Sequence, residues 1–414
     1  MPIPPLRPLD VFPVGDAKRP MFAMRDPMGI VSELLAVQPE AFFIASHFDG
    51  EADADGVARL VSLRMGGKVD AMVVHSVAQQ FSDRGLLLDE KFQEMYAKAR
   101  EAFAAQPTRA AAHAGGNYPD DASQLTQFLK QVLSLADEQP RFDGDLIGLI
   151  SPHIDFERGH ALYAQAYKPL ERAGQFDRIV VLGTSHGPMA SSLVPTRKNF
   201  ETPLGPLATS QSGVDAVLSV LGEECLMDEL AHKGEHSIEF QTVFLKMLQP
   251  NAEIVPLLCG SLRGCVDDGA DPQGNEEVER AVEAVRAARS RDGRTLLVAG
   301  ADLAHVGPRF GGPELTDGVL DATERGDREA LAFASERDAS GWFRSITNGG
   351  DPRNTCGLSP VYLMLRALER GRGHLLGYQR CEAPDQCVTI GAMAFVEGGS
   401  PPPLRSGRIL IATE

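Results

Sequence analysis

The chain has 414 residues, 43% hydrophobic and 23% charged, an ordinary globular composition with length for two or three domains. A formal net charge of -17 excludes a broad, non-specific nucleic-acid footprint, which needs clustered Lys and Arg, and disfavours anionic membrane surfaces. A small-molecule or peptide substrate, or a basic partner, remains open.

The N-terminus, Met1-Pro-Ile-Pro-Pro-Leu, has no apolar stretch of the kind a secretory signal needs. No apolar run approaches the about 20 residues that span a bilayer. A cytoplasmic protein that binds neither membrane nor nucleic acid is expected. Six cysteines in a chain of this length are not a disulfide framework, and in that compartment they are expected to be reduced.

In chain order, residues 1–115 read as a small domain ending in a linker. A Pro-rich run reaches Pro20 and a short extended piece covers 21–24. Helical patterns follow at 39–47, 55–65 and 70–83, and Arg84-Gly-Leu-Leu-Leu-Asp turns into a strand. Three short helices and a hairpin-like strand outline a winged helix. Its third helix has Lys68 and Arg84 at its ends, offset by Asp70 and Asp83. A recognition helix without net positive charge is a poor DNA reader, so docking of a protein or peptide is expected. A helix over 91–105 leads into Ala110-Ala-Ala-His-Ala-Gly-Gly-Asn-Tyr-Pro, which reads as the linker, with His113 an exposed loop residue.

Over 116–400 strands alternate with helices. Short apolar runs at 146–150, 179–182, 254–258 and 296–299 fit strands buried on both faces. Helical patterns lie at 159–173, 213–221, 237–248 and 276–290. This predicts an α/β domain with a mainly parallel central sheet flanked by helices. Two further strands, at 373–381 and 387–397, are candidates for antiparallel pairing. The tail, 401–414, looks irregular, with Ile409-Leu-Ile a candidate edge strand.

Three histidines follow buried strands: His153 in Ser151-Pro-His-Ile-Asp, His186 in Gly183-Thr-Ser-His-Gly, and His305 in Ala301-Asp-Leu-Ala-His, with Asp302 three residues earlier. Ligands of open α/β sheets bind outside the carboxyl ends of the strands, so three histidines in that position point to one shared site. Cys356, in Arg353-Asn-Thr-Cys-Gly, precedes a helix over 361–368. A helix N-terminus favours the thiolate that binds metal, although an isolated cysteine is often a small buried hydrophobe. In Gly234-Glu-His-Ser-Ile-Glu, His236 and Glu239 share a face near a helix start. That stretch reads either as a cap, with Ser237 capping and Glu235 and Glu239 complementing the dipole, or as a contact of His236 to a substrate or metal ligand. Gly183-Thr-Ser-His-Gly also matches the nucleophile elbow of serine hydrolases, with Ser185 as nucleophile. The residues after it do not start a helix, and His374 sits in a Gly-rich turn, so that reading is the least supported. Cys225, Cys259 and Cys265 have no evident partner, and Cys381 and Cys387 read as structural.

These segments, with Glu201-Thr-Pro-Leu-Gly, occur in order from about Leu146 to Phe395 and together resemble the Memo family. The arrangement is similar to the AmmeMemoRadiSam system protein B members of that family. The resemblance implies a fold like that of class III extradiol dioxygenases and a mononuclear iron-type site. Its metal ligands would be His153, His186 and Cys356, with Asp302 and His305 lining the pocket. Ser-Pro stands here for the more usual Ala-Pro before His153, and Leu-Ser-Pro follows Cys-Gly. The N-terminal residues lie outside this match and look like winged-helix peptide-binding domains associated with radical-SAM systems.

Two imidazoles and a thiolate suit Fe(II), zinc or copper, and affinity order alone does not favour iron. A cysteine in place of the carboxylate of the usual two-His oxygenase triad makes the site softer, so dioxygenase turnover does not follow from the fold. The expectation is a Memo-like redox protein or oxidoreductase holding Fe(II), acting with a radical-SAM partner. An open coordination position would receive O2 or a small substrate. His305 would act as general acid/base tuned by Asp302, with His236 in support. The alternative is a non-catalytic adaptor with a relict metal pocket.

Overall fold

In a computed structural model the chain forms two compact units, Met1–Gln106 and Pro107–Glu414. The structure describes all residues except 17–18, 32, 137–141, 143, 291 and 399–414, so the Ile409-Leu-Ile segment lies outside the described residues.

The first unit opens with β1 (Asp10–Asp16), β2 (Arg19–Arg25) and β3 (Leu35–Val37), an antiparallel sheet in that order. Pro13 sits in β1 because that strand is an edge, where a missing N–H breaks no ladder. Four helices follow: α1 (Pro39–Ala45), α2 (Ala54–Met65), α3 (Ala71–Asp83) and α4 (Glu90–Ala104). Asp53, Asp70 and Asp89 cap the last three, each accepting a backbone N–H of the first turn. Ile44, Val57, Val61, Val74 and Phe81 form the core. The three expected helices are present, but the hairpin precedes them. After α3 the chain makes a single antiparallel bridge, Leu87 to Leu6, where a wing was expected. Pairing with Leu6 uses the backbone that a local hairpin would need.

The second unit begins β4 (Thr108–Arg109), α5 (Ala122–Leu133), β5 (Asp145–Ser151), α6 (Phe156–Tyr167), β6 (Arg178–Thr184), β7 (Leu193–Pro195) and β8 (Asn199–Phe200). It continues α7 (Gln211–Leu221), α8 (His236–Leu248), β9 (Glu253–Cys259), α9 (Arg263–Asp267), α10 (Glu276–Ala287), β10 (Thr295–Gly300) and β11 (His305–Val306). The last elements are α11 (Asp317–Ser335), α12 (Ala339–Thr347), α13 (Leu358–Ala367), β12 (Arg372–Ala383) and β13 (Gln386–Glu397). The main sheet runs β11-β13-β5-β10-β6-β9-β7, with β12 on β13. Its centre, β5-β10-β6-β9, is parallel. β13, β11, β12 and β7 add antiparallel pairs on both sides, and β12 and β13 pair as expected. This is the expected mixed α/β architecture.

The central strands are buried on both faces. In β6, Ile179 and Val181 face a cluster with Tyr163 and Phe244, and Val180 and Leu182 face one with Val217 and Val282. Side chains alternate across a strand, so each face needs its own helices. α5, α6 and α8 cover the first face, and α7, α10, α12 and α13 the second. Each fully buried Val or Leu contributes about 1.5–3 kcal/mol, which fixes the strands as a rigid platform.

Candidate metal centre

The site is built from the ends of three adjacent parallel strands. Gly300 of β10 is level with Ser151 of β5 on one side and Gly183 of β6 on the other. The chains emerging there carry His153, Asp302 and His186. Glycine is required at two of these ends. A Cβ on Gly300 would lie 2.5 Å from the Ser237 carbonyl oxygen, and one on Gly183 would lie 2.5 Å from Ser237 Oγ. Their absence lets the start of α8 settle onto the sheet, where Ser237 Oγ donates to the Thr184 carbonyl at 2.8 Å. Glu235 and His236 are thereby brought over the strand ends.

The inner part of the site is buried. His153, 1% exposed, donates from Nδ1 to the Gly300 carbonyl at 2.9 Å, because a carbonyl can only accept. The proton-free Nε2 then lies 3.2 Å from Cys356 Sγ. Burial, reinforced by the neighbouring His186, pushes His153 down to about 3, so the ring is neutral. Asp302 Oδ1 accepts the backbone N–H groups of His153 at 2.7 Å and Ile154 at 3.1 Å, which fixes the turn after β5. Its Oδ2 is 3.8 Å from His153 Nε2, and burial pushes the carboxyl above its ordinary range. His305 presents Nδ1 to the Leu303 carbonyl at 3.3 Å, and burial pushes it down.

Cys356 departs from expectation. Burial, then the Asp302 carboxylate, push its thiol well above its ordinary value. The start of α13 does not stabilise a thiolate here, because desolvation and neighbouring carboxylates outweigh a helix terminus. The sulfur lies 3.2 Å from His153 Nε2 and 3.7 Å from the Asp302 carbonyl oxygen.

The outer part faces the opening. His186, whose side chain is 38% exposed, is gripped by Glu235, 6% exposed. The carboxylate accepts the His186 backbone N–H at 2.9 Å and its Nδ1–H at 3.0 Å, which orients the ring. Burial raises Glu235, but His186 and His236 and the hydrogen bonds from His186 outweigh it and hold the carboxyl well below the usual range. His236 stacks on His186 with ring centroids 4.7 Å apart and lies 5.3 Å from the His153 ring.

Every residue singled out for the site converges here. The ligand atoms of His153, His186 and Cys356 lie within 4.8 Å of one another, as do those of His186, Glu235 and His236, and of Asp302, His305 and Cys356. The donor chemistry of the first group fits a metal ion. Both imidazoles have Nδ1 committed elsewhere, and the Cys356 sulfur lies 3.2 Å from Nε2 of His153. Tetrahedral ligands sit roughly 3.5 Å apart, and the Cys356–His153 pair is already close to that.

Several local readings change. Glu235, not Ser237, caps α8, by accepting the Ser237 N–H at 3.0 Å. Ser237 lies inside the helix because its hydroxyl is used on β6. Glu239 is fully buried against Arg109 and does not serve the helix dipole from the surface. His113 is no free linker residue: its N–H donates to Glu239 at 2.9 Å and its Nε2 meets the Gly234 carbonyl at 2.9 Å. Ser185 donates to the Gly187 carbonyl at 3.0 Å, and the chain beyond it runs irregularly into β7, so the strand-turn-helix of a nucleophile elbow is not formed. Cys225, Cys259, Cys265, Cys381 and Cys387 are buried free thiols. Among the described residues no helix is long and apolar enough to cross a membrane.

Comparison with known proteins adds a family. The model of the Memo-like protein family matches residues 109–393. A MEMO1 family protein of Aquifex aeolicus is 27% identical over 397 residues, covering 95% of this chain and 99% of its own. A share that large has to include most of the first unit. A MEMO1 family protein of Thermus thermophilus is 28% identical over 335 residues, covering 80% of this chain and 95% of its own. One of Pyrococcus furiosus is 30% identical over 252 residues, covering 58% and 80%.

Proposed function

This chain belongs to the Memo-like protein family, and from that premise we propose that Pro107–Glu414 is a mononuclear metal-binding redox domain. His153, His186 and Cys356 hold the ion, which we take to be Fe(II). A bound ion would supply one-electron redox and Lewis-acid chemistry there. One observation carries the reading: Cys356 Sγ lies 3.2 Å from the deprotonated Nε2 of His153, with His186 completing the group. Glu235 orients His186, Asp302 holds the His153 turn, and His305 moves a proton at its Nε2. His305 is grouped with Asp302 and Cys356, their ligand atoms within 4.8 Å of one another.

The test is metal analysis of protein purified without added metal, beside Cys356→Ala and His186→Ala. Iron at about one per chain in the wild type, its loss in Cys356→Ala and a marked fall in His186→Ala are expected. Equal metal content in all three would refute the assignment.

A second reading concerns the first unit. In that unit α3 carries no Lys or Arg, and Leu63 and Met72 are 82% and 79% exposed. This favours peptide docking, with recruitment of a radical-SAM partner as the specific proposal. Leu63→Glu and Met72→Glu in the full chain should abolish capture of that partner while metal content stays unchanged. Capture unaffected by either change would remove this role from α2 and α3.

A further inference from the structure

The segment after the first unit reaches across to the turn that carries Glu235. Arg109 and Glu239 are both fully buried and form an ion pair. The guanidinium also donates to three carbonyls, with Nε on His232 at 2.9 Å, Nη2 on Glu235 at 2.7 Å and Nη1 on Ala110 at 2.8 Å. Glu239 in turn accepts the Tyr118 hydroxyl and the backbone N–H groups of Ala112 at 3.2 Å and His113 at 2.9 Å. The carbonyls of residues 232, 234 and 235 are thus all held by side chains of Arg109 or His113. Immediately beyond that turn, the Glu235 carboxylate binds His186 through its backbone N–H and its Nδ1.

A buried ion pair is a poor way to stabilise a core, because desolvation cancels most of its attraction and apolar residues of equal volume do as well. What it supplies is direction. Here two of the four guanidinium hydrogen bonds hold the backbone of one turn, at His232 and Glu235, and the other two tie Arg109 to Ala110 and Glu239. We propose that Arg109, Glu239 and Tyr118 are positioning residues that lock this turn, and so set the direction in which His186 presents Nε2. The proposal rests on the reading of His186 as a metal ligand. The 109–118 segment therefore belongs to the site, although none of its residues is among the grouped ligand candidates.

The test uses the full chain with Co(II) as probe metal, in the wild type, Glu239→Gln, Arg109→Lys, Tyr118→Phe and, as a control destabilised elsewhere, Val217→Ala. Glu239→Gln and Arg109→Lys should weaken Co(II) about tenfold and shift the ligand-field bands, while the sulfur-to-cobalt band from Cys356 persists. Tyr118→Phe, which removes one hydrogen bond and folds most safely, should weaken it about threefold. Val217→Ala should lower the melting temperature and leave Co(II) binding unchanged. If the clamp variants behave like Val217→Ala, the pair is structural only and the proposal is overturned. Nitrogen NMR of His186 in metal-free protein gives a second readout. Loss of the Nδ1–H form in Tyr118→Phe or Glu239→Gln supports the clamp, and an unchanged spectrum overturns it. A wild type that shows no sulfur-to-cobalt band would instead sink the metal assignment, and the NMR result would still decide the clamp.

Discussion

The two walls of the site are held by different means. The inner wall, His153 with Asp302 and Cys356, is buried and fixed by backbone: the Gly300 carbonyl sets the His153 ring, and Asp302 grips the following turn. The outer wall, His186 with His236, is partly open, and a side chain sets it, the carboxylate of Glu235. Under the proposed assignment, the ends of the buried strands would define where an ion sits, and the Glu235 carboxylate how His186 approaches it. Changes on the inner wall should therefore remove the ion, and changes around the outer wall should tune its affinity.

The largest effect is expected for Cys356→Ala, which should abolish metal binding in an equilibrium titration, while His186→Ala leaves weak residual binding to the inner pair. Equal losses would break the division between the walls. Glu235→Gln comes next, with affinity falling roughly 10–100-fold and the fold intact, since a neutral amide no longer holds the imidazole proton on Nδ1. Metal affinity should also depend on pH. The Cys356 thiol is raised and must lose its proton when an ion binds, whereas His153, pushed down to about 3, is already neutral. Affinity should then rise with pH by about tenfold per unit through neutrality, one proton being released per ion. A flat profile would mean that sulfur is not a ligand. The smallest effect is expected for Asp302→Asn, which keeps an oxygen acceptor for the His153 turn but removes a charge that raises the thiol. Thiolate absorbance should appear at lower pH than in the wild type.

On the inner wall His153 was legible in the sequence because it follows a contiguous apolar strand, and strand ends can be placed from pattern alone. The outer wall was only half legible. His186 sits in the same pattern, but Glu235 is 49 residues away and reads locally as part of a helix cap. The Arg109–Glu239 pair spans 130 positions, and the Ala- and Gly-rich context of Arg109 reads as a linker. Glu239, between the apolar Ile238 and Phe240 of a helix, was the available signal, because a carboxylate buried there needs a cation. The state of the Cys356 thiol was not legible, since it depends on burial and on carboxylates remote in the chain. In the first unit, Pro13 hid an edge strand, and the bridge from Leu87 to Leu6 replaced the expected wing.

X-ray absorption on anaerobically prepared, metal-loaded protein tests the central claim most directly. One metal per chain with a shell of one sulfur and at least two imidazole nitrogens, the sulfur vanishing in Cys356→Ala, is the predicted result. A shell of oxygen and nitrogen alone in the wild type would contradict it.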